Sequence, residues 1–296
     1  MKYLEKHPML VIGVGIVGIS MSAIFVRYST APSAVTAAWR LLWSVLLMTP
    51  VVLGSGNIRR EFSHMDKKSA GLSALSGLFL AAHFILWFEA LGLTSVASAA
   101  TLVCTEVIWV SLGFCLFLKG KISGKATLAI GITLLGSILI ALADSGAGKG
   151  HLEGDILAVL AAVASAVYML LGRSAQKKLS TTVYTYVVYG SCALMLVIIC
   201  IVCRQSLFAS GWNPVVVGGL LALFSTILGH TIFSWALKFF SPSFVSACKL
   251  LEPVGAGILA VFLFGEIPAG MALLGAVLIL FGVRYYARIE EKSAKK

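Results

Sequence analysis

Apolar residues run along this chain in blocks of about 20, the length a helix needs to cross the hydrocarbon core of a bilayer. Each block is closed by glycine, proline, serine or a charged residue. The pattern predicts helices over 9–28, 33–54, 69–91, 95–118, 125–143, 153–176, 181–203, 213–237, 243–264 and 269–288. Breaks fall at Ala31-Pro32, Gly54-Ser55-Gly56, Thr94-Ser95, Gly120, Gly146 to Gly150, Asn213-Pro214, Ser241-Pro242 and Pro268. The connections are too short to fold as separate soluble domains. The expected fold class is all-α integral membrane, with ten transmembrane helices.

Composition sharpens this reading. Hydrophobic residues are 59% of the 296 and charged residues 12%, against roughly 25% charged in soluble proteins. Mean hydropathy is +0.98, so the whole chain is apolar and not a single anchor. The net charge of +11 does not mark a nucleic-acid partner, because the cations lie in short segments between apolar runs. With ten helices and a cytoplasmic N-terminus, 18 of the 23 Lys and Arg residues fall on inside segments. Only Arg27, Lys149 and Arg204 fall outside, and Arg40 and Lys249 lie within helices. This asymmetry follows the positive-inside rule and predicts a multi-pass protein of the bacterial inner membrane with both termini cytoplasmic. Met1, Lys2 and Lys6 before an apolar run imitate a secretory signal. No small-residue cleavage site follows, so the segment reads as a retained first helix. All six cysteines sit in apolar runs, and Cys200 and Cys203 lack the further ligands a metal site needs. Gly13-x-Gly15-x-x-Gly18 matches a dinucleotide fingerprint by letter, but no strand precedes it.

Shifting the sequence by 146 residues superimposes its halves: Arg27 on Arg173, Ala90-Leu91 on Ala236-Leu237, Glu106 on Glu252 and Gly136 on Gly282. The implied units are 1–148 and 149–296, each of five helices. An odd number of spans puts the second copy in the membrane upside down, which gives two inverted five-helix repeats. Many secondary transporters are built this way, with substrate held near the midplane.

Several stretches carry a family likeness: Ala37-Ala38-Trp39-Arg40-Leu41-Leu42, Leu93-Thr94-Ser95-Val96-Ala97-Ser98-Ala99-Ala100, Leu251-Glu252-Pro253-Val254, Phe264-Gly265-Glu266, and the run Gly275 to Gly282. In order and spacing they resemble the EamA family of the drug/metabolite transporter superfamily, over nearly the whole chain. The resemblance implies a central cavity lined mainly by the first, third, fourth, sixth, eighth and ninth helices. It also implies movement of amino acids, other metabolites or drugs without ATP hydrolysis. Two departures are visible. Glu106-Val107 stands where the family often has an apolar or small residue followed by proline, and Lys119-Gly120 is the first-half counterpart of Gly265-Glu266.

Charges at membrane depth are functional candidates by default, because burying one costs several kcal/mol. Glu106 and Glu252 each lie about 11 residues into a helix, roughly 16 Å deep. They can bind an amine or exchange a proton, since poor solvation favours the neutral carboxyl. The alternative role is an ion pair locking helices together. Lys249, three residues before Glu252, is placed either to grip a substrate carboxylate or to neutralise Glu252 on their shared face. Arg40, roughly 10 Å deep, reads as a structural intramembrane charge. His83 and His230, one residue from equivalence under the repeat shift, are proton-path candidates or packing residues. Trp87 is four residues from His83, and with Glu106 and Trp109 that face forms an aromatic, acidic pocket suited to an ammonium group. Tyr168 and Trp235 are further substrate-binding candidates.

No HExxH, GxSxG or paired-Asp motif appears, so no catalytic residue, metal or cofactor is expected. The reading is a secondary active transporter of a small metabolite working by alternating access, as a proton-coupled exporter and as a monomer or homodimer. Its only partners are the substrate and the lipid bilayer. The alternative is an uncoupled facilitator or channel for a small polar solute.

Overall fold

The computed structural model describes residues 7–94, 99, 102–144, 152–265 and 270–294, and every regular element among them is helical. The elements are α1 (Pro8–Arg27), α2 (Ser33–Gly54), α3 (Gly56–Ser63), α4 (Lys67–Leu93), α5 (Glu106–Phe117), α6 (Gly124–Asp144) and α7 (Leu152–Ala175). They continue as α8 (Thr181–Val202), α9 (Asn213–Leu220), α10 (Thr231–Ala236), α11 (Pro242–Lys249), α12 (Glu252–Phe264) and α13 (Gly270–Ala294). A π-helical stretch, Leu221–His230, joins α9 to α10. Among the described residues eight helical rods are long and apolar enough to cross a membrane, and the apolar stretches Leu102–Phe117 and Gly124–Ile140 are shorter. The expected breaks at Gly146 to Gly150 and Pro268 lie outside the described residues, as do Ser95 to Ser98, Ala100, Lys149, Glu266, Lys2, Lys6, Lys295 and Lys296.

Local chemistry sets the helix ends. Pro8, Pro214, Pro242 and Pro253 occupy first turns, where the missing N–H is not needed. Ser180 and Ser241 cap α8 and α11 by accepting the N–H groups of Val183 at 3.2 Å and Phe244 at 3.3 Å. Gly265 ends α12 with φ +67°, the left-handed conformation that glycine adopts without steric cost. Outward faces stay apolar, as with Leu10 and Val17 on α1 and Leu128 and Leu135 on α6, all exposed. In a water-soluble protein such a surface would aggregate; in lipid it is the expected exterior.

The chain gathers into two compact units, Met1–Ile85 with Val167–Phe239, and Leu86–Ala166 with Phe240–Lys296. Each takes elements from both halves of the sequence. A repeat in sequence and a compact body in space are therefore different partitions of this chain.

In the first unit α1 packs against the π-helical stretch and α10 through glycines. A β-carbon on Gly18 would lie 2.7 Å from the Phe224 carbonyl oxygen, and one on Gly15 would lie 2.9 Å from the Ile232 side chain. The π geometry has a local cause. The Thr226 hydroxyl donates to the Leu221 carbonyl and the Thr231 hydroxyl to that of Thr226, both five residues back, which suits the wider turn.

In the second unit α6 crosses α13 at close range. A β-carbon on Gly136 would sit 2.6 Å from the Gly275 carbonyl oxygen, with the Ile279 side chain next; one on Gly282 would sit 3.0 Å from that of Ala129, with Thr133 beside it. Under the 146-residue shift Ala129 maps to Gly275, Thr133 to Ile279 and Gly136 to Gly282. The two contacts are thus copies of one another with the helices exchanged. Residue numbers rise along one helix as they fall along the other, so α6 and α13 run antiparallel.

Candidate functional site

The fourth and ninth predicted helices are interrupted at equivalent places. A turn at Thr105 precedes α5, and a turn at Leu250-Leu251 separates α11 from α12. Thr105 and Leu251 are 146 residues apart, and each break leaves a glutamate as the first residue of the helix that follows, Glu106 on α5 and Glu252 on α12. The causes differ. Pro253 has no N–H to give the Lys249 carbonyl, and its ring crowds that carbonyl. Thr105 lacks a proline neighbour; its hydroxyl instead donates to the Leu102 carbonyl at 2.6 Å, drawing the chain into a turn. The departure at Val107 therefore does not restore a continuous helix.

These breaks assemble a charged centre inside the second unit. Lys249 Nζ donates to both carboxylate oxygens of Glu106, at 2.8 and 2.7 Å. The Ser246 hydroxyl donates to Glu106 Oε1 at 3.2 Å, and Ser165 accepts from Lys249 at 3.5 Å. Side-chain exposure is 15% for Lys249 and 8% for Glu106, so the pair is nearly dehydrated. Lys249 ends α11 and Glu106 begins α5, so each charge faces the helix end whose backbone dipole favours it. Spacing on one helix pointed from Lys249 to Glu252, but the helix breaks between them, and the contact the structure describes for Lys249 is a different one. The partner is Glu106, in the other half of the sequence.

The second unit also holds Trp87 and Trp109. Trp87 packs against a cluster of Ala90, Ala99 and Ala158. The Trp109 indole N–H is buried without a hydrogen-bond partner among the described residues, and its position three residues after Glu106 puts it on the same helix face.

The first unit carries the remaining candidates. Arg40 is 3% exposed. Its Nε donates to the Thr226 hydroxyl at 2.8 Å, and its guanidinium lies 4.6 Å from the centre of the Phe84 ring. These contacts tie α2 to the π-helical stretch. Phe84 in turn meets His83 at 5.4 Å and His230 at 5.8 Å between ring centres, and Tyr168 meets His230 at 6.3 Å. The Tyr168 hydroxyl hydrogen-bonds Ser234 at 2.9 Å, and the Trp235 ring lies 4.5 Å from Phe239. His83 and His230 thus share an aromatic neighbour. His83 belongs to the first unit, whereas Trp87, Glu106 and Trp109 belong to the second. Sequence reasoning missed Ser246 and Ser165 as partners of the ion pair. The first was findable, since Ser246 stands three residues before Lys249 on one face of α11.

Helices long enough to span a bilayer and apolar exteriors define a multi-pass membrane protein, with a buried charge pair where two interrupted helices meet. The model of the EamA-like transporter family matches the chain twice, over residues 7–142 and 152–287, and the chain belongs to that family. Three relatives carry the name uncharacterized transporter. One from Bacillus subtilis, YxxF, is 27% identical over 262 residues, covering 88% of this chain and 82% of its own. One from Archaeoglobus fulgidus is 25% identical over 264 residues, 88% and 89% of the two chains. One from Clostridium kluyveri is 25% identical over 211 residues, 69% and 68%. A crystal structure with 16% identity superimposes at a TM-score of 0.81 over 97% of this chain and 98% of that one, a likeness of fold alone.

Proposed function

We propose that this protein is a secondary active transporter that exports a small metabolite (an amino acid, amine or drug-like compound) across the bacterial inner membrane by alternating access. In this reading residues 1–148 and 149–296 are two inverted five-helix repeats, both termini are cytoplasmic, and the chain acts as a monomer or homodimer. The antiparallel, exchange-related contacts of α6 and α13 support the inversion.

The observation that carries the function is the Glu106–Lys249 pair. Two charges so little exposed cannot be separated cheaply, since the one left behind is both buried and unpaired. A bare amine would satisfy Glu106 and strand Lys249; a bare carboxylate would do the reverse. A zwitterion replaces each partner in one step, and an amine does so if an anionic group settles the Lys249 ammonium or that ammonium gives up a proton. A proton delivered to Glu106 also frees Lys249, which links transport to the proton gradient. His83 and His230 are the further candidates for that path, and Trp87, Trp109, Tyr168, Trp235 and Glu252 for the walls of the site.

The test is transport into liposomes holding the purified protein under an imposed pH gradient, with a panel of radiolabelled amino acids and amines. A substrate should accumulate above equilibrium, and Glu106→Gln should abolish that accumulation. Equilibration without accumulation would instead mark an uncoupled facilitator. Unchanged accumulation by Glu106→Gln would remove the ion pair from the mechanism.

A further inference from the structure

The first unit ends in a surface that the transport reading does not use. Helix α3 has no buried residue, and Arg59, Arg60, Lys67 and Lys68 on and beside it are all exposed. The turn after α7 adds exposed Lys177 and Lys178. Two contacts hold these segments together: the Glu61 carboxylate accepts the Ser180 N–H, and the Phe62 ring meets Tyr186 of α8 edge-on at 5.7 Å. The acids in the patch are already engaged. Glu61 is taken by Ser180, while Asp66 accepts the N–H and hydroxyl of Ser69 at 3.0 and 2.8 Å and pairs with Lys178 at 3.5 Å. Six exposed cations thus cluster on α3, the start of α4 and the turn after α7, with Lys178 shared with Asp66.

Depth is set by the neighbours. Val51 and Leu53, at the end of α2, are 53% and 58% exposed and face lipid. Arg59 follows six residues after Leu53, and Phe62 is itself 39% exposed. A short helix with an apolar side and a cationic side, just beyond a lipid-facing span, is suited to lie in the headgroup layer. We propose that α3 and the α7–α8 turn form a docking surface for anionic phospholipid headgroups, holding the phosphate diesters of the surrounding bilayer. A free phosphate ion would find the same cations but no use for Phe62 and Leu53.

Each lysine or arginine near an anionic surface strengthens association about fivefold. The experiment uses the full chain purified in mild detergent, incubated with phosphatidylglycerol or phosphatidylcholine and read by native mass spectrometry as lipid retained per protein. The native chain should retain phosphatidylglycerol over phosphatidylcholine by at least about fivefold, and R59Q/R60Q/K68Q should lower that preference by at least about fivefold. K119Q/K121Q/K125Q, an equal loss of exposed charge on the α5–α6 connection, should leave it intact. If both triple variants lose the preference alike, or neither does, the surface is not a lipid site. Displacement of the lipid by millimolar inorganic phosphate would equally overturn it. Should the first triple variant fail to fold, Arg59→Gln alone is measured in the same way, with a smaller loss of preference expected and no loss counting against the proposal.

Discussion

Removing one member of the Glu106–Lys249 pair should cost far more than removing both. At the 2.7 Å separation, Coulomb's law gives roughly 6 kcal/mol of gross attraction at an effective dielectric constant of about 20. Desolvating the two ions takes back several kcal/mol each, so the intact pair is close to neutral for stability. Glu106→Gln leaves the Lys249 ammonium, 15% exposed, without its counter-ion, and Lys249→Met does the same to the carboxylate. Each single variant should lose about 3–5 kcal/mol. The double variant should lose less than about 2 kcal/mol, because no charge is then stranded. The assay is a double-mutant cycle on unfolding in mixed micelles titrated with dodecyl sulfate and followed by tryptophan fluorescence. A coupling energy of at least about 2 kcal/mol is expected. Additive losses, or single variants as stable as the native protein, would refute the reasoning.

Three further outcomes follow from the packing. Gly18→Ala should destabilise the first unit by about 1–3 kcal/mol, since the new β-carbon meets backbone atoms of Phe224 and Leu228. Gly13→Ala, with nothing within 4 Å, should be neutral or gain up to about 1 kcal/mol; the same micelle titration compares them. Arg40→Lys should cost about 1–3 kcal/mol by giving up the Thr226 hydrogen bond and the guanidinium contact over Phe84, and an equal or greater stability in that variant would deny Arg40 its structural role. Asp66, outside the spans, is held below the ordinary aspartate range first by the Ser69 backbone N–H, then by the Ser69 hydroxyl, with Lys178 adding to it. Its folded value is the lower one, so its contribution is present above about pH 4 and fades as pH falls through that folded value. The stability gap between the native chain and Asp66→Asn should therefore narrow on acidification, and a gap constant from pH 7 to 3 would contradict the capping role.

Helix positions were legible because lipid imposes one rule on every span. The predicted segment 33–54 coincides with α2, and 153–176 and 213–237 fall within one residue of their helices at either end. Finer features depend on local competition that hydropathy does not register. Pro253 signalled the break between α11 and α12, yet the apolar run over 243–264 masked it. The π-helical stretch follows from hydroxyls bonding five residues back, which no periodicity announces. Lys249 was legible as a candidate but not its partner, because three residues of spacing implies proximity only while the helix is unbroken. Helix α3, polar and only eight residues long, is invisible to a search for apolar blocks.

The crossing of α6 and α13 is its own mirror image: exchanging the two halves turns each glycine contact into the other. The salt link is not, for the repeat shift carries Lys249 onto Val103, so exchange of the halves does not reproduce it. Under the alternating access proposed above, a swap of the halves' shapes would leave the first junction closed, as a pivot, and open the second on one stroke only. Two end states related in that way would differ in energy before any cargo or gradient acted.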